Sequence, residues 1–162
     1  VIRPLDPAED WAKVTGLFAR SADYVWLERG EAPSEALTRE FFESALPGAD
    51  LSQMLKLGLF EGDRLQGIVD MGFGFPEAGD AYLGLLQLAE EARGCGLGAA
   101  FLRHVEAEAR ARGAPRLYLA VLDQNPRGRG FWEREGFRVA LANRPVRLGQ
   151  KDHIATRMAK AL

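Results

Sequence analysis

Three glycines fall on alternate positions in Arg93-Gly94-Cys95-Gly96-Leu97-Gly98, directly ahead of a segment rich in Ala, Arg and Glu. That spacing strips side chains from a loop just where a helix would begin. The first N–H groups of a helix have no carbonyl partners, and the helix dipole puts partial positive charge there. Bare amides in such a field suit a phosphate or diphosphate. A ligand-free tight turn with close helix–strand packing would use the same glycines. Other chemistry-bearing residues lie upstream. Asp80 and Tyr82 open the apolar run before the loop, and Asp70 sits in the run before that. A carboxylate working through water can serve as a general base. A strand aromatic and an exposed strand residue are the plainer uses of Tyr82 and Asp70. Tyr24, Val25 and Trp26 cluster beside Asp23, Glu28 and Glu31, which suits a pocket for a cationic amine, or equally a solvated loop anchored by one Trp.

Several chemistries find no support. No Ser/His/Asp arrangement is readable. His104 and His153 stand too far apart to suggest a metal site, so no metal is expected. Cys95 lies inside the phosphate-facing turn, a poor place for an acyl-cysteine. As the only cysteine it excludes an internal disulfide and fits a reducing cytoplasm.

The elements that must position these groups follow from periodicity. VIRPL reads as a strand, and Asp6 as the N-cap of a helix from about Pro7 to Arg20. A loop over 21–33 leads to a second helix from Ser34, closed by Pro47-Gly48. Two apolar runs split by Glu61-Gly62-Asp63 signal a hairpin. AYLGLLQLA is a third strand of that group. A helix runs from Leu97 to about Arg112, with Leu97, Phe101, Val105 and Ala109 in one stripe. A strand follows at 116–122, then a short helix from Arg127 to Glu135. Two closing strands, FRVAL and HIATRMAKA, flank a polar loop from Asn143 to Asp152. The order β-α-α-β-β-β-α-β-α-β-β implies an α/β (α+β) fold, a mixed sheet with helices on both faces.

The 162 residues suffice for one domain with a proper core, taken as 1–162. No apolar run is long enough for a membrane span, and VIRPLDPAEDW carries no secretory pattern, so a cytoplasmic protein is expected. Charge is uneven. Residues 1–90 hold 7 Lys and Arg against 16 Asp and Glu, while residues 91–162 hold 14 against 7. The basic half starts at the glycines, which favours an anionic ligand there. With no lysine-rich tract and a pI of about 5.8, nucleic acid is not an expected partner.

Three nucleotide-type loops compete for the glycine motif. A P-loop would end in Gly-Lys-Ser/Thr, but Gly98 is followed by Ala99-Ala100. A dinucleotide fingerprint G-x-G-x-x-A does match from Gly94 to Ala99, and Asp123 ends the next strand. However, Glu90 to Arg93 separate the first glycine from its strand, and too little chain remains for a doubly wound sheet. The third pattern is R/Q-x-x-G-x-G/A. Arg93 to Gly98 fits it, and it resembles the signature of the GNAT superfamily of N-acetyltransferases. NPRGRGFWEREGF (125–137) resembles a second landmark of that family, an Asn after the next strand and a short helix ending in aromatic-x-x-x-Gly-Phe. The likeness covers residues from about 54 to 162, and more loosely the two helices before them.

The resemblance implies a largely antiparallel GNAT-like sheet with a splayed strand pair. It also implies acetyl-CoA as ligand and co-substrate. The diphosphate would sit on amides of Arg93, Gly94, Cys95, Gly96, Leu97, Gly98 and Ala99. The pantetheine would bond to backbone at Leu86, Gln87 and Leu88, much as an added strand does. Asn125 would reach the pantetheine, and Arg129 or Arg127 would neutralise a phosphate. The Leu88 N–H is the implied oxyanion donor. The leaving thiolate is usually served by a tyrosine, whose position here is Trp132. An indole donates a hydrogen bond but delivers no proton near neutral pH. Catalytic candidates are thus Tyr82, Asp80, Leu88 and Trp132, with Tyr24, Trp26 and Asp70 toward the acceptor. The implied reaction is direct attack of a primary amine, of a small molecule or peptide, on the thioester. A catalytically silent acyl-CoA-binding or regulatory domain is the alternative that Trp132 keeps open. No membrane partner is expected, and a homodimer is left open.

Overall fold

The period-2 segments pair into one seven-stranded sheet. A computed structural model describes residues 1–162. Strands β1 (Ile2–Pro4), β2 (Leu55–Glu61), β3 (Arg64–Phe73), β4 (Ala81–Leu88), β5 (Arg116–Leu122), β6 (Arg138–Leu148) and β7 (Lys151–Ala161) lie in the order β1-β2-β3-β4-β5-β7-β6. Helices are α1 (Trp11–Ala19), α2 (Ala22–Arg29), α3 (Glu35–Glu43), α4 (Leu97–Ala111) and α5 (Pro126–Arg134). Neighbouring strands are antiparallel except β4 and β5. Parallel neighbours need a crossover, and α4 supplies it. The sheet is therefore mixed with helices on both faces, as the element order implied, and largely antiparallel, as the resemblance implied.

Two cores share the sheet. Alternation along β3 sends Ile68 to one face and Val69 to the other. Ile68 belongs to a core with Val14, Leu17 and Phe18 of α1 and Phe41 of α3. Val69 belongs to the other, with Phe101, Leu102 and Val105 of α4. With both faces covered, β3 is buried almost without a break from Leu65 to Gly72, Gln66 and Asp70 included. No helix is long and apolar enough to cross a membrane.

Three boundaries differ from the sequence expectations. The expected loop at 21–33 contains α2. Only Val25 of that helix is buried, so its apolar periodicity is weak, but Gly30 in the left-handed region (φ 65°) closes it. The expected polar loop at 143–152 is mostly strand: β6 runs on to Leu148 and β7 starts at Lys151, leaving a turn at Gly149-Gln150. Register shifts and Asn143 at φ 58° break the alternation in β6 and hid it. Helix α1 starts at Trp11, not Pro7. The Asp6 side chain accepts from the Ala8 and Glu9 amides in a turn before it.

Asp10 ties this corner together. Its buried carboxylate accepts two bonds from Arg3, both 2.9 Å, and one from the Asp6 amide at 2.8 Å. Hydrogen bonding from Arg3 outweighs burial and lowers its pKa from 3.8 to about 2. A depressed carboxylate pKa adds stability above the unfolded value, and that stability is lost as pH falls through the folded one. Asp10→Asn is expected to cost about 1–2 kcal/mol at pH 7, less than the full shift because Arg3 is partly solvated. In urea melts the gap from wild type should close between about pH 4 and pH 2; a gap that does not depend on pH would contradict this.

Candidate active site

Strands β4 and β5 begin as partners and then part. They pair at Ala81–Leu117, Tyr82–Tyr118 and Leu83–Leu119, and no further. On the other side of β4 the register shifts by one residue: Met71 faces Leu83 and Asp70 faces Leu85, so Gly84 is a bulge. A bulge bends its strand and sharpens the twist, which turns the rest of β4 away from β5. The Ala89 amide donates to the Gln66 carbonyl on β3, at 3.0 Å. By strand alternation the N–H groups of Leu88 and Leu86 point the opposite way, into the gap.

A cavity of about 780 Å³ fills this gap. Gly84 through Leu88 line one side and Leu119 through Leu122 the other. At one end lie Arg93, Gly94, Gly96, Gly98 and Ala99, at the N-terminus of α4. Gly94 (φ 77°) and Gly96 (φ 86°) both adopt the left-handed region. Gly96 is the N-cap and offers no side chain, so the first amides of α4 stay free of a capping group. The Arg93 guanidinium is spent locally. It bonds both Asp23 oxygens, at 2.7 and 3.1 Å, and holds that carboxylate below its ordinary range. This pair fastens the loop to α2. Cys95 is exposed, with Sγ on the Ala92 carbonyl at 3.1 Å, and Leu97 packs into the cores; neither side chain lines the cavity.

The α5 side adds Asn125, Arg127, Gly128, Phe131 and Trp132. Asn125 caps α5, its Oδ1 accepting from the Gly128 amide at 3.0 Å. Gly128 is required because a Cβ there would collide with the Asn125 side-chain amide. Trp132 stands edge-on to Phe131 and Phe137, with centroids at 4.9 and 5.4 Å. Arg127 lines the cavity. Arg129 does not, and lies 3.3 Å from Glu133.

Carboxyl groups gather at the other end. Asp70 lines the cavity, 9% exposed, with Lys56 Nζ donating at 2.8 Å and Ser44 Oγ at 3.2 Å. Burial raises its pKa from 3.8, against the opposing pull of Lys56 and Ser44. A Cβ at Gly84 would come within 3.3 Å of Asp70 Oδ2, so the bulge glycine leaves that carboxylate uncovered. Glu28 and Tyr24 also line this end, and burial pushes up both the carboxyl and the phenol.

The structure thus brings Asp70, Tyr24, Asn125 and Trp132 together with the glycine loop and the backbone of Leu86 to Leu88. The Gln87 side chain turns away, to Ser21 Oγ at 2.5 Å. Besides Arg129, three expected residues stand apart. Asp80 is fully buried at the far end of β4, with Arg116 Nε at 3.3 Å. Tyr82 packs edge-on to Phe75, centroids 5.3 Å apart. Trp26 points outward, 52% exposed. None of the three lines the cavity. Sequence reasoning missed Lys56 and Ser44. They come from β2 and from the end of α3, and no local pattern joins them to Asp70.

This fold and cavity have relatives. A family model described as "Acetyltransferase (GNAT) family" matches residues 9–137. An acetyltransferase from Thermus thermophilus is 28% identical, with a TM-score of 0.82 over 100% of this chain and 96% of its own. The PaiA N-acetyltransferase of Thermoplasma acidophilum, solved in complex with coenzyme A, is 24% identical with a TM-score of 0.71, covering 100% of this chain and 98% of its own. The ribosomal-protein-S18-alanine N-acetyltransferase of Escherichia coli is 20% identical, with a TM-score of 0.71 over 99% of this chain and 92% of its own.

Proposed function

Because this chain belongs to the GNAT acetyltransferase family and is an acyltransferase, we propose that it moves an acetyl group from acetyl-CoA to a primary amine by direct attack. One observation carries the reading. A single cavity joins the uncapped start of α4, the unpaired edge of β4 and the Asp70 carboxylate. The diphosphate sits on the amides of residues 93–99, where free N–H groups and the helix dipole favour it, and Arg127 adds charge. The pantetheine amides bond to the free edge of β4, as an added strand would. Leu88 takes the bond nearest the phosphates, because Arg93 Nη2 reaches its carbonyl at 3.3 Å. The thioester oxygen then falls to the Leu86 N–H, two residues nearer the bulge and Asp70. That moves the oxyanion role from Leu88 to Leu86.

The amine must lose a proton before it attacks. Asp70 is the carboxylate at the bulge, and it takes that proton directly or through one water. Attack on the thioester carbonyl forms a tetrahedral oxyanion facing Leu86. Its collapse breaks the C–S bond and releases CoA thiolate, and the new amide nitrogen gives its second proton to water. Trp132 lines the route of the sulfur and packs against it, while a water molecule supplies the proton. Tyr82 and Asp80, at the other end of β4, have no part in these steps.

Free-thiol release from acetyl-CoA across a panel of amines tests the proposal, with calorimetry on CoA alone. Binding of CoA with acceptor-dependent thiol release is expected; CoA binding with every amine inert would overturn transfer. Trp132→Tyr should retain or raise kcat, since a phenol can give the thiolate a proton that an indole cannot. A collapse of kcat at unchanged CoA affinity would assign the indole an essential role.

A further inference from the structure

A strap bridges α2 and the β6–β7 turn at the carboxyl-lined end of the cavity, where Glu28, Arg29, Val146 and Leu148 form the wall. The β6–β7 turn is fastened to the C-terminal end of α2 at three points. The Gln150 amide donates to the Arg29 carbonyl at 2.9 Å. Lys151 Nζ donates to the Leu27 carbonyl at 3.0 Å, and His153 Nε2 to the Glu28 carbonyl at 2.7 Å. A carbonyl only accepts, so Nε2 carries the proton in that last bond. These are the carbonyls that a helix end leaves unpaired, so the strap satisfies groups that would otherwise need water. The approach is close. A Cβ at Gly149 would lie 2.9 Å from the Arg29 carbonyl oxygen, and one at Gly30 would lie 2.8 Å from Lys151 Cγ. An extended peptide laid between α2 and β6 would have to cross this strap.

Charge and wall composition narrow the acceptor further. Glu28, Glu40 and Asp70 line this end of the cavity. Arg29 reaches Glu28 at 3.4 Å and Glu40 at 2.8 Å, and Lys56 holds Asp70 at 2.8 Å. Glu28 and Glu40 share the single Arg29 guanidinium, so a carboxylate oxygen remains for an incoming ammonium. Around them the walls are apolar: Val25, Leu37, Phe41, Leu85, Val146 and Leu148. Exposed Glu40 marks the side open to solvent. Granted the acetyl transfer proposed above, on which the choice of acceptor depends, we infer that the acceptor is a compact monoamine with an apolar body, rather than a polyamine or the N-terminus of a polypeptide.

Thiol release with acetyl-CoA is compared for phenethylamine, spermidine and a tetrapeptide amide beginning with Ala. The expected kcat/KM for phenethylamine exceeds each of the others by about 100-fold, because a second cation or a continuing chain would be buried without partners. Comparable turnover of the peptide overturns the closed end, and comparable turnover of spermidine overturns the charge argument. Lys151→Met then loosens the strap. The ratio of peptide to phenethylamine kcat/KM should rise about tenfold, since one of the three fastenings is gone. No rise in a folded variant overturns the role of the strap. Should CoA bind and another amine of the panel be acetylated while these three are not, this inference falls and the transfer reading stands; with every amine of the panel inert, both fall.

Discussion

Asp70→Asn is expected to lower kcat/KM for amine acetylation about 10²–10³-fold, the usual scale of a lost general base, and to leave CoA affinity unchanged. The carboxylate stands at the bulge where β4 leaves β5, and the glycine there leaves it uncovered. Asn keeps the shape and can still accept from Lys56, so the fold should survive the change. Only the capacity to take a proton is removed. The pH profile gives the second test. Burial raises the Asp70 pKa above 3.8. A base must be ionised to act, so activity is lost as pH falls through that raised value. The acid limb contributed by Asp70 should therefore disappear in the Asn variant. In Lys56→Met the cation favouring the charged form is gone, and the limb should move to higher pH. A variant that loses only affinity for the amine, with kcat intact, would make Asp70 a binding group instead.

Ala99→Glu is the second large effect. Ala99 is the third residue of α4 and lines the cavity beside the glycine loop. Glu has a helix propensity close to that of Ala, and an acid in the first turn gains about 0.3–1 kcal/mol from the dipole. Stability should hold or rise. Binding should not. A negative charge about 4 Å from a phosphate costs about 4 kcal/mol at an effective dielectric of 20. Water will screen part of that, so CoA affinity should fall about 100-fold or more. Calorimetry with CoA and a thermal melt of the same sample separate the two effects. Unchanged affinity in a folded variant would move the diphosphate elsewhere.

What could be read from the residues was whatever the backbone demands locally. Gly94 and Gly96 need the left-handed region, and Asn125 must cap α5 through Gly128, so their spacing shows in the chain itself. The α4 stripe was legible because Phe101, Val105 and Ala109 face one core. What stayed hidden depends on distant partners. Asp70, Lys56 and Ser44 come from three elements and meet only after β2 and β3 pair and α3 docks. Helix α2 buries one residue, and β6 is largely exposed, so neither shows a strong period. Tyr82 and Asp80 looked close to the motif in sequence. A strand advances about 3.3 Å per residue, which sets Tyr82 roughly 13 Å from Leu86 along β4, on the still-paired side of the bulge.

A crystal structure with acetyl-CoA bound tests the central claim most directly. The account predicts diphosphate oxygens within hydrogen-bond reach of the amides of residues 94–99, pantetheine along the free edge of β4, and the thioester oxygen on the Leu86 N–H beside Asp70. A cofactor bound elsewhere, with β4 and β5 unparted by it and the start of α4 empty, would contradict it.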